Sequence, residues 1–189
     1  IIGTYSPEQA RHALQTLSHR GRDHCGIIEE RDFFFAHQRL SITDRHYRAN
    51  QPMQHGTVLL SFNGEIYNHN ELRLALAPFP WKTFSDAEVL LAAYERWGIN
   101  CVNHLEGMFA FAIKDGDTLY LARDRFGKKP LYYMHTGLQF IFGSEIKALK
   151  LFLKSNNLNL DALQSYLSFL APTPPHTFYE GIYKLENGE

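Results

Sequence analysis

Ser61-Phe62-Asn63-Gly64-Glu65-Ile66-Tyr67-Asn68 is the stretch around which the rest of the chain is organised: the apolar run Val58-Leu59-Leu60 leads into an Asn-Gly pair and then a carboxylate. A strand over Thr57–Phe62 that stops at Asn63-Gly64 aims one side-chain amide and one unhindered backbone N–H outward from a rigid base. Those are the two donors that an oxyanion hole uses. Asn-Gly between apolar runs is also the strongest short hairpin signal, so a turn competes with that reading. What the pair is for depends on the company it keeps.

On the N-terminal side, Ile1-Ile2-Gly3-Thr4-Tyr5 reads as a strand. Ser6-Pro7-Glu8-Gln9 supplies an N-cap, a proline at the first helical position and a capping-box Gln, which predicts a helix to about Ser18 on Ala10, Ala13, Leu14 and Leu17. Cys25–Glu29 and Phe33–Gln38 are predicted to pair through the charged turn Glu30-Arg31-Asp32. On the C-terminal side a short helix is expected from Asn70 to Leu76. Ser85-Asp86-Ala87-Glu88 is a second capping box, opening a helix whose apolar face is Val89, Leu90, Ala93, Tyr94 and Trp97 and which Gly98 closes. Four β-type runs follow at Met108–Lys114, Thr118–Arg123, Leu131–His135 and Gln139–Phe142, predicting an antiparallel meander. Strands and helices come in blocks, so the class is α+β with layered sheets. From Leu149 the character changes: a helix over Leu160–Leu170, then an extended Ala171-Pro172-Thr173-Pro174-Pro175. This divides the chain into a domain at 1–150 and a linker at 151–189, with further sequence expected beyond both ends.

Composition narrows the function classes. The 189 residues are 44% apolar and 21% charged, with 19 Lys+Arg against 20 Asp+Glu, a net charge of -1. No basic block tracks a phosphate backbone and no run spans a bilayer, so neither nucleic acid nor membrane is an expected partner. A cytoplasmic setting is expected, because Cys25 and Cys101 are too few for a disulfide framework and have no metal-ligand spacing; both read as buried, inert thiols.

Several residues carry candidate chemistry. Arg39 follows Ala36-His37-Gln38, and a guanidinium at a strand end suits bidentate capture of a small carboxylate; an ion pair with Asp44 or Glu65 is its structural alternative. Glu65 beside the Asn-Gly pair and Asp86 in a capped first turn could each receive an ammonium group, their alternatives being solvation and helix-dipole complementarity. One arginine and two carboxylates complement the zwitterion of a free amino acid. With an oxyanion hole added, the set points to acyl transfer on an amino-acid amide. His19, Arg20 and Asp23 read as helix-end groups satisfying carbonyls and dipole. Arg123-Asp124-Arg125-Phe126-Gly127-Lys128-Lys129, the densest charge run, reads as a solvated hairpin tip. No nucleophile is evident: the serines at 41, 61, 85 and 144 lack an elbow-type context.

With these residues in view, the sequence strongly resembles the class II glutamine amidotransferase domain of asparagine synthetases of the bacterial B type. The matching pieces include Ile1-Ile2-Gly3, His19-Arg20-Gly21-Arg22-Asp23, Arg39-Leu40-Ser41-Ile42-Thr43-Asp44, Gln51-Pro52-Met53, Asn63-Gly64-Glu65-Ile66-Tyr67-Asn68, Ser85-Asp86, Leu105-Glu106-Gly107-Met108-Phe109-Ala110-Phe111, the run Arg123–Tyr133 and Gly143-Ser144-Glu145-Ile146-Lys147-Ala148-Leu149. The resemblance implies the N-terminal-nucleophile hydrolase fold, a four-layer αββα sandwich of two antiparallel sheets. It implies that Arg39 binds the α-carboxylate of L-glutamine with Leu40, Ser41, Ile42 and Thr43 lining that side, that Asn63 and Gly64 form the oxyanion hole, and that Glu65 and Asp86 hold the α-ammonium. The family begins Cys-Gly-Ile, which puts the nucleophilic cysteine, and the α-amino group that serves as its base, two residues upstream of Ile1. Arg22 stands where the family usually has proline. No cofactor is expected in this domain; ATP and magnesium belong to a C-terminal synthetase domain that amidates aspartate or another carboxylate. That domain and a second copy of the chain are the expected protein partners. The rival expectation is an inactive domain that binds glutamine or a partner protein without the N-terminal cysteine.

Overall fold

The computed structural model describes residues 1–189. After β1 (Ile2–Gly3), Ser6 caps α1 (Pro7–Gln15), and the hairpin β2 (His24–Glu30) and β3 (Phe33–Arg39) follows. A loop leads to β4 (Met53–His55), β5 (Val58–Ile66), α2 (His69–Ala75) and α3 (Asp86–Trp97). Two further hairpins, β6 (Gly107–Asp115) with β7 (Thr118–Arg123) and β8 (Tyr132–His135) with β9 (Gln139–Gly143), precede α4 (Ile146–Lys150), α5 (Leu160–Phe169) and β10 (Tyr183–Lys184). Strands pair as β10-β8-β9-β1-β3-β2 in one sheet and β4-β5-β6-β7 in the other, every pair antiparallel.

Alternation along the strands assigns the layers. Phe33 and Phe35 pack against Leu59 and Ala112 between the sheets, while Phe34 turns outward onto Ala10, Ala13 and Leu14 of α1 and Ala148 and Leu149 of α4. On β5, Leu60 and Phe62 turn the opposite way, onto Val89, Leu90 and Ala93 of α3. The order is therefore helices, six-stranded sheet, four-stranded sheet, helices, the α+β sandwich that the sequence led us to expect. Burial of roughly 1.5–3 kcal/mol per large side chain on both outer faces and in the middle layer holds it together. No helix is long and apolar enough to cross a membrane.

The structure corrects several local expectations. Strand β5 does not stop at Phe62 but continues through the Asn-Gly pair, with Asn63 opposite Ala110, Gly64 opposite Phe109 and Glu65 opposite Met108. The hairpin turn is thereby excluded. Glycine is needed at 64 because a Cβ there would lie 2.3 Å from the Met108 carbonyl oxygen and 2.8 Å from Phe109 Cα. The predicted meander is two hairpins in different sheets, and the run Arg123–Lys129 crosses between them. It is solvated only in part: Arg125, Phe126 and Lys128 are exposed, whereas Arg123 and Asp124 are 4% and 1% exposed. Helix α1 ends at Gln15, short of Ser18, and the Gln9 amide, instead of closing a capping box, donates to the Leu151 carbonyl (2.6 Å). Likewise the Glu88 carboxylate turns from Ser85 to the N–H groups of Lys82 and Thr83, each at 2.8 Å, which braces the start of α3. Cys25 is exposed on the edge strand β2, whereas Cys101 is buried and its thiol is pushed up to about 12 by that burial. After Lys150 the chain returns to the first sheet, where β10 pairs with β8 and buries Ile182 and Leu185.

His19 and Arg20 do not serve helix carbonyls; both bond Glu145 Oε1 at 2.9 Å, and Lys147 Nζ lies 3.1 Å from Oε2. Burial pushes the Glu145 carboxyl up, but hydrogen bonds from Arg20, Lys147 and His19 outweigh it and hold the group at about 2. A carboxylate depressed in the folded state contributes stability that is present above its ordinary value and is lost as pH falls toward the folded one. The stability gap between the parent and Glu145→Gln is therefore expected to shrink as pH falls from 4.5 to about 2. Thermal melts of both proteins near pH 7 and near pH 3 check this; an unchanged gap refutes the charge cluster as its source.

Candidate active site

Where β3 ends, Arg39 is buried and its guanidinium organises the loop that follows. Nη1 donates to Asn50 Oδ1 (2.8 Å) and the His46 carbonyl (3.4 Å), and Nη2 donates to the Asp44 carbonyl. The structural alternative, an ion pair with the Asp44 or Glu65 carboxylate, does not form. The Nε hydrogen and the second Nη2 hydrogen make no bond within the chain, which leaves two of five donors for a ligand. Burial lowers the Arg39 pKa, and Asp44, Asp23 and Asp86 oppose that effect. Asp44 fixes the other flank of the loop, its Oδ2 accepting from Phe84 N–H (2.8 Å).

The open edge of β5 supplies the second element. The Gln51 amide pairs with both backbone groups of Phe62, Phe62 N–H donating to Oε1 (2.6 Å) and Nε2 donating to the Phe62 carbonyl (3.1 Å). Two positions past Gly64, the Ile66 N–H donates to Asp86 Oδ2 (3.0 Å). Backbone groups alternate sides along a strand, so Gly64 N–H points off the same edge as those of Phe62 and Ile66. It lies between two occupied positions and has no partner. The adjacent Asn63 Nδ2 is buried and likewise without a partner. An orphan buried amide is rare enough to require an explanation, and together with the open N–H of the adjacent Gly64 it offers the two kinds of donor that an oxyanion site uses.

Asp86 is buried at the first position of α3, and its Oδ1 accepts from Ala87 N–H (3.0 Å). Burial raises its pKa against these backbone bonds. A cation placed beside it would relieve that penalty. Glu65 is half-buried next along β5. These groups converge on a cavity of about 400 Å³, lined among others by Arg39, Leu40, Ile42, Thr43, Asn63, Gly64, Glu65 and Asp86. That volume suits a small-molecule ligand. Ser41 lies outside this lining; its N–H donates to Asp23 Oδ2 (2.7 Å) and it borders a separate, shallower depression. Two polar residues of the lining, without an assigned role in the sequence, bear on the site. His37 Nδ1 is 3.0 Å from Ser61 Oγ, and burial, then Arg39 and His24, hold the imidazole down to about 4, so it is neutral near pH 7. The other is Gln51, which stood in the quoted Gln-Pro-Met piece without an assigned task.

Residues 1–189 match the family described as "Glutamine amidotransferase domain". The chain belongs to this family. As a glutamine amidotransferase domain it is 40% identical over 180 residues to "Asparagine synthetase [glutamine-hydrolyzing] 1" of Bacillus subtilis (strain 168), covering 92% of this chain and 28% of that protein. It is 43% identical over 139 residues to "Asparagine synthetase [glutamine-hydrolyzing] 2" of Oryza sativa subsp. japonica, covering 70% of this chain and 23% of that one. The domain thus spans about a quarter of the length of these relatives. Among solved structures, the glutamine phosphoribosylpyrophosphate amidotransferase from B. subtilis, complexed with ADP and GMP, aligns with a TM-score of 0.67 at 22% identity, over 79% of this chain and 41% of that one. That likeness is one of fold, two stacked antiparallel sheets between helical layers.

Proposed function

We propose that this domain hydrolyses the side-chain amide of L-glutamine to glutamate and ammonia. The observation that carries the reading is the pair of unpartnered donors, Asn63 Nδ2 and Gly64 N–H, at the wall of a cavity that also presents Arg39, Glu65 and Asp86. The free Nε and Nη2 hydrogens of Arg39 take the α-carboxylate, and Glu65 and Asp86 take the α-ammonium. The side-chain carbonyl oxygen then lies against Asn63 and Gly64. Attack by a thiolate converts that oxygen to an oxyanion, which the two donors stabilise. Collapse expels ammonia with a proton from the general base and leaves a thioester, which water hydrolyses to glutamate.

Strand register supports a position for the nucleophile. Ile1 exchanges hydrogen bonds with Phe34, both at 2.9 Å, so β1 pairing with β3 already extends to the first residue. Ile2 lies opposite Phe33 on one side and Phe140 on the other. The same register puts a residue two places before Ile1 between Ala36 and Gly143, both of which line the cavity. A cysteine there would have its sulfur and its own α-amino group at the site, the latter with an ordinary pKa of about 8. The relatives' names, glutamine-hydrolysing asparagine synthetases, favour a further assignment in which the ammonia amidates aspartate or another carboxylate. A C-terminal synthetase domain that uses ATP and magnesium, in the cytoplasm, belongs to the same proposal and rests on the sequence resemblance alone.

Glutamate release from glutamine by the full-length protein tests the proposal. Arg39→Lys is expected to raise KM for glutamine about 10- to 100-fold, since a single ammonium replaces a bidentate fork and drops the carbonyls of Asp44 and His46. Glutamine binding without glutamate release would instead support the inactive binding domain, and failure of both would dismiss the glutamine site.

A further inference from the structure

With Asp86, Gln51 is one of two side chains that occupy the free edge of β5. It is 7% exposed, and both ends of its amide are committed to the main chain of Phe62. Strand β4 pairs with β5 only at Val58, Leu59 and Leu60. Beyond that point the Gln51 amide takes the place of the next strand residue, offering one acceptor and one donor in ladder geometry. Its own backbone lies close against β2: a Cβ on Gly26 would come within 2.0 Å of the Gln51 carbonyl oxygen. On the far side of Gly64, Asp86 fixes Ile66 N–H. The edge is therefore clamped at 62 and 66 and open only at 64.

We propose that Gln51 is a positioning residue for the oxyanion hole, acting through Phe62 to hold Gly64 N–H and the neighbouring Asn63 amide where the anion develops. This rests on the glutaminase reading for its kinetic consequence, but the clamp itself does not. An edge segment with neither Gln51 bond would be free to twist, and a displacement of a fraction of an ångström suffices to weaken an oxyanion contact. Both ends of the Gln51 amide bond Phe62, and none of Arg39, Glu65 and Asp86 is hydrogen-bonded to it, so substrate binding should survive its replacement.

The test uses Gln51→Leu, which keeps the volume and removes both bonds, and Gln51→Glu, which keeps the acceptor for Phe62 N–H and sets a second oxygen against the Phe62 carbonyl. In the full-length protein we expect kcat for glutamine hydrolysis to fall at least 10-fold in both, with KM changed less than about 3-fold. Hydrogen–deuterium exchange of peptides covering 61–66 is expected to speed up in both variants, while peptides from α3 and β6 keep their protection. Unchanged exchange at 61–66 overturns the clamp, and kcat within 2-fold of the parent, or KM and kcat moving together, overturns the catalytic role. If the parent itself releases no glutamate the glutaminase reading fails, and the exchange experiment still decides whether Gln51 holds this edge.

Discussion

Asn63→Ala is expected to lower kcat for glutamine hydrolysis by roughly 10²- to 10³-fold and to leave KM within a few-fold, as removal of one oxyanion donor does elsewhere. The side-chain amide makes no hydrogen bond inside the protein, and its nitrogen is buried against the cavity without a partner. Its removal therefore breaks no internal bond and relieves one unsatisfied polar group, so the melting temperature should hold or rise slightly. A group that contributes only to the fold would show the reverse, a lower melting temperature with activity preserved per folded molecule. The KM argument is equally specific. In the proposed reaction Arg39, Glu65 and Asp86 meet the α-substituents of the substrate and Asn63 meets the atom whose charge develops, so its loss belongs in kcat. Steady-state kinetics with a thermal melt on one preparation decide the matter; kcat within 2-fold of the parent removes Asn63 from the oxyanion hole.

That this stretch mattered was legible in the sequence, but how it is built was not. Taken locally, Asn63-Gly64 reads as a strand end or a turn, since Asn-Gly between apolar runs favours turns. The reason for glycine is instead long-range: β6 approaches so closely at Met108 and Phe109 that no Cβ fits. Local propensity holds no record of that neighbour. Capped helices were found with near-correct bounds, since Ser6 and Ser85 act within one turn, yet both capping-box partners, Gln9 and Glu88, bond elsewhere. The hairpins β2-β3, β6-β7 and β8-β9 were also legible, because their alternation and turns are local. Which sheet each hairpin joins was not, as that follows from the crossover at 123–130. Arg39 was identified by its type and position, whereas Asn50 and the carbonyls that aim it lie 5 to 11 residues away in an irregular loop that no periodicity announces.

The largest effect on stability is expected at Asp124, in the charge run that reads as solvent-facing. Its carboxylate is 1% exposed and accepts four backbone N–H groups. Oδ1 takes Phe126 (3.1 Å) and Lys128 (3.0 Å), and Oδ2 takes Phe109 (3.2 Å) and Lys129 (3.1 Å). Burial raises its pKa, but the four bonds outweigh that and the group titrates below the ordinary range. Alanine would strand four donors, each at about 1–3 kcal/mol where water cannot replace the oxygen. Asp124→Ala is therefore expected to cost about 4 kcal/mol or more, roughly 10 °C in melting temperature for a chain of this size. Asparagine is no rescue, because its NH₂ would face two N–H groups that each need an acceptor. Two features make the loss general to the fold. Phe109 is opposite Gly64 on β6, so one of the four bonds lies directly behind the oxyanion strand. The neighbouring Arg123 donates to the carbonyls of Lys129 (2.7 Å) and Leu185 (2.8 Å), tying the crossover to the segment after β10. A melt of Asp124→Ala and Asp124→Asn against the parent near pH 7 gives the answer. Two variants within 2 °C of the parent would mean that water replaces the carboxylate and that this crossover is open to solvent.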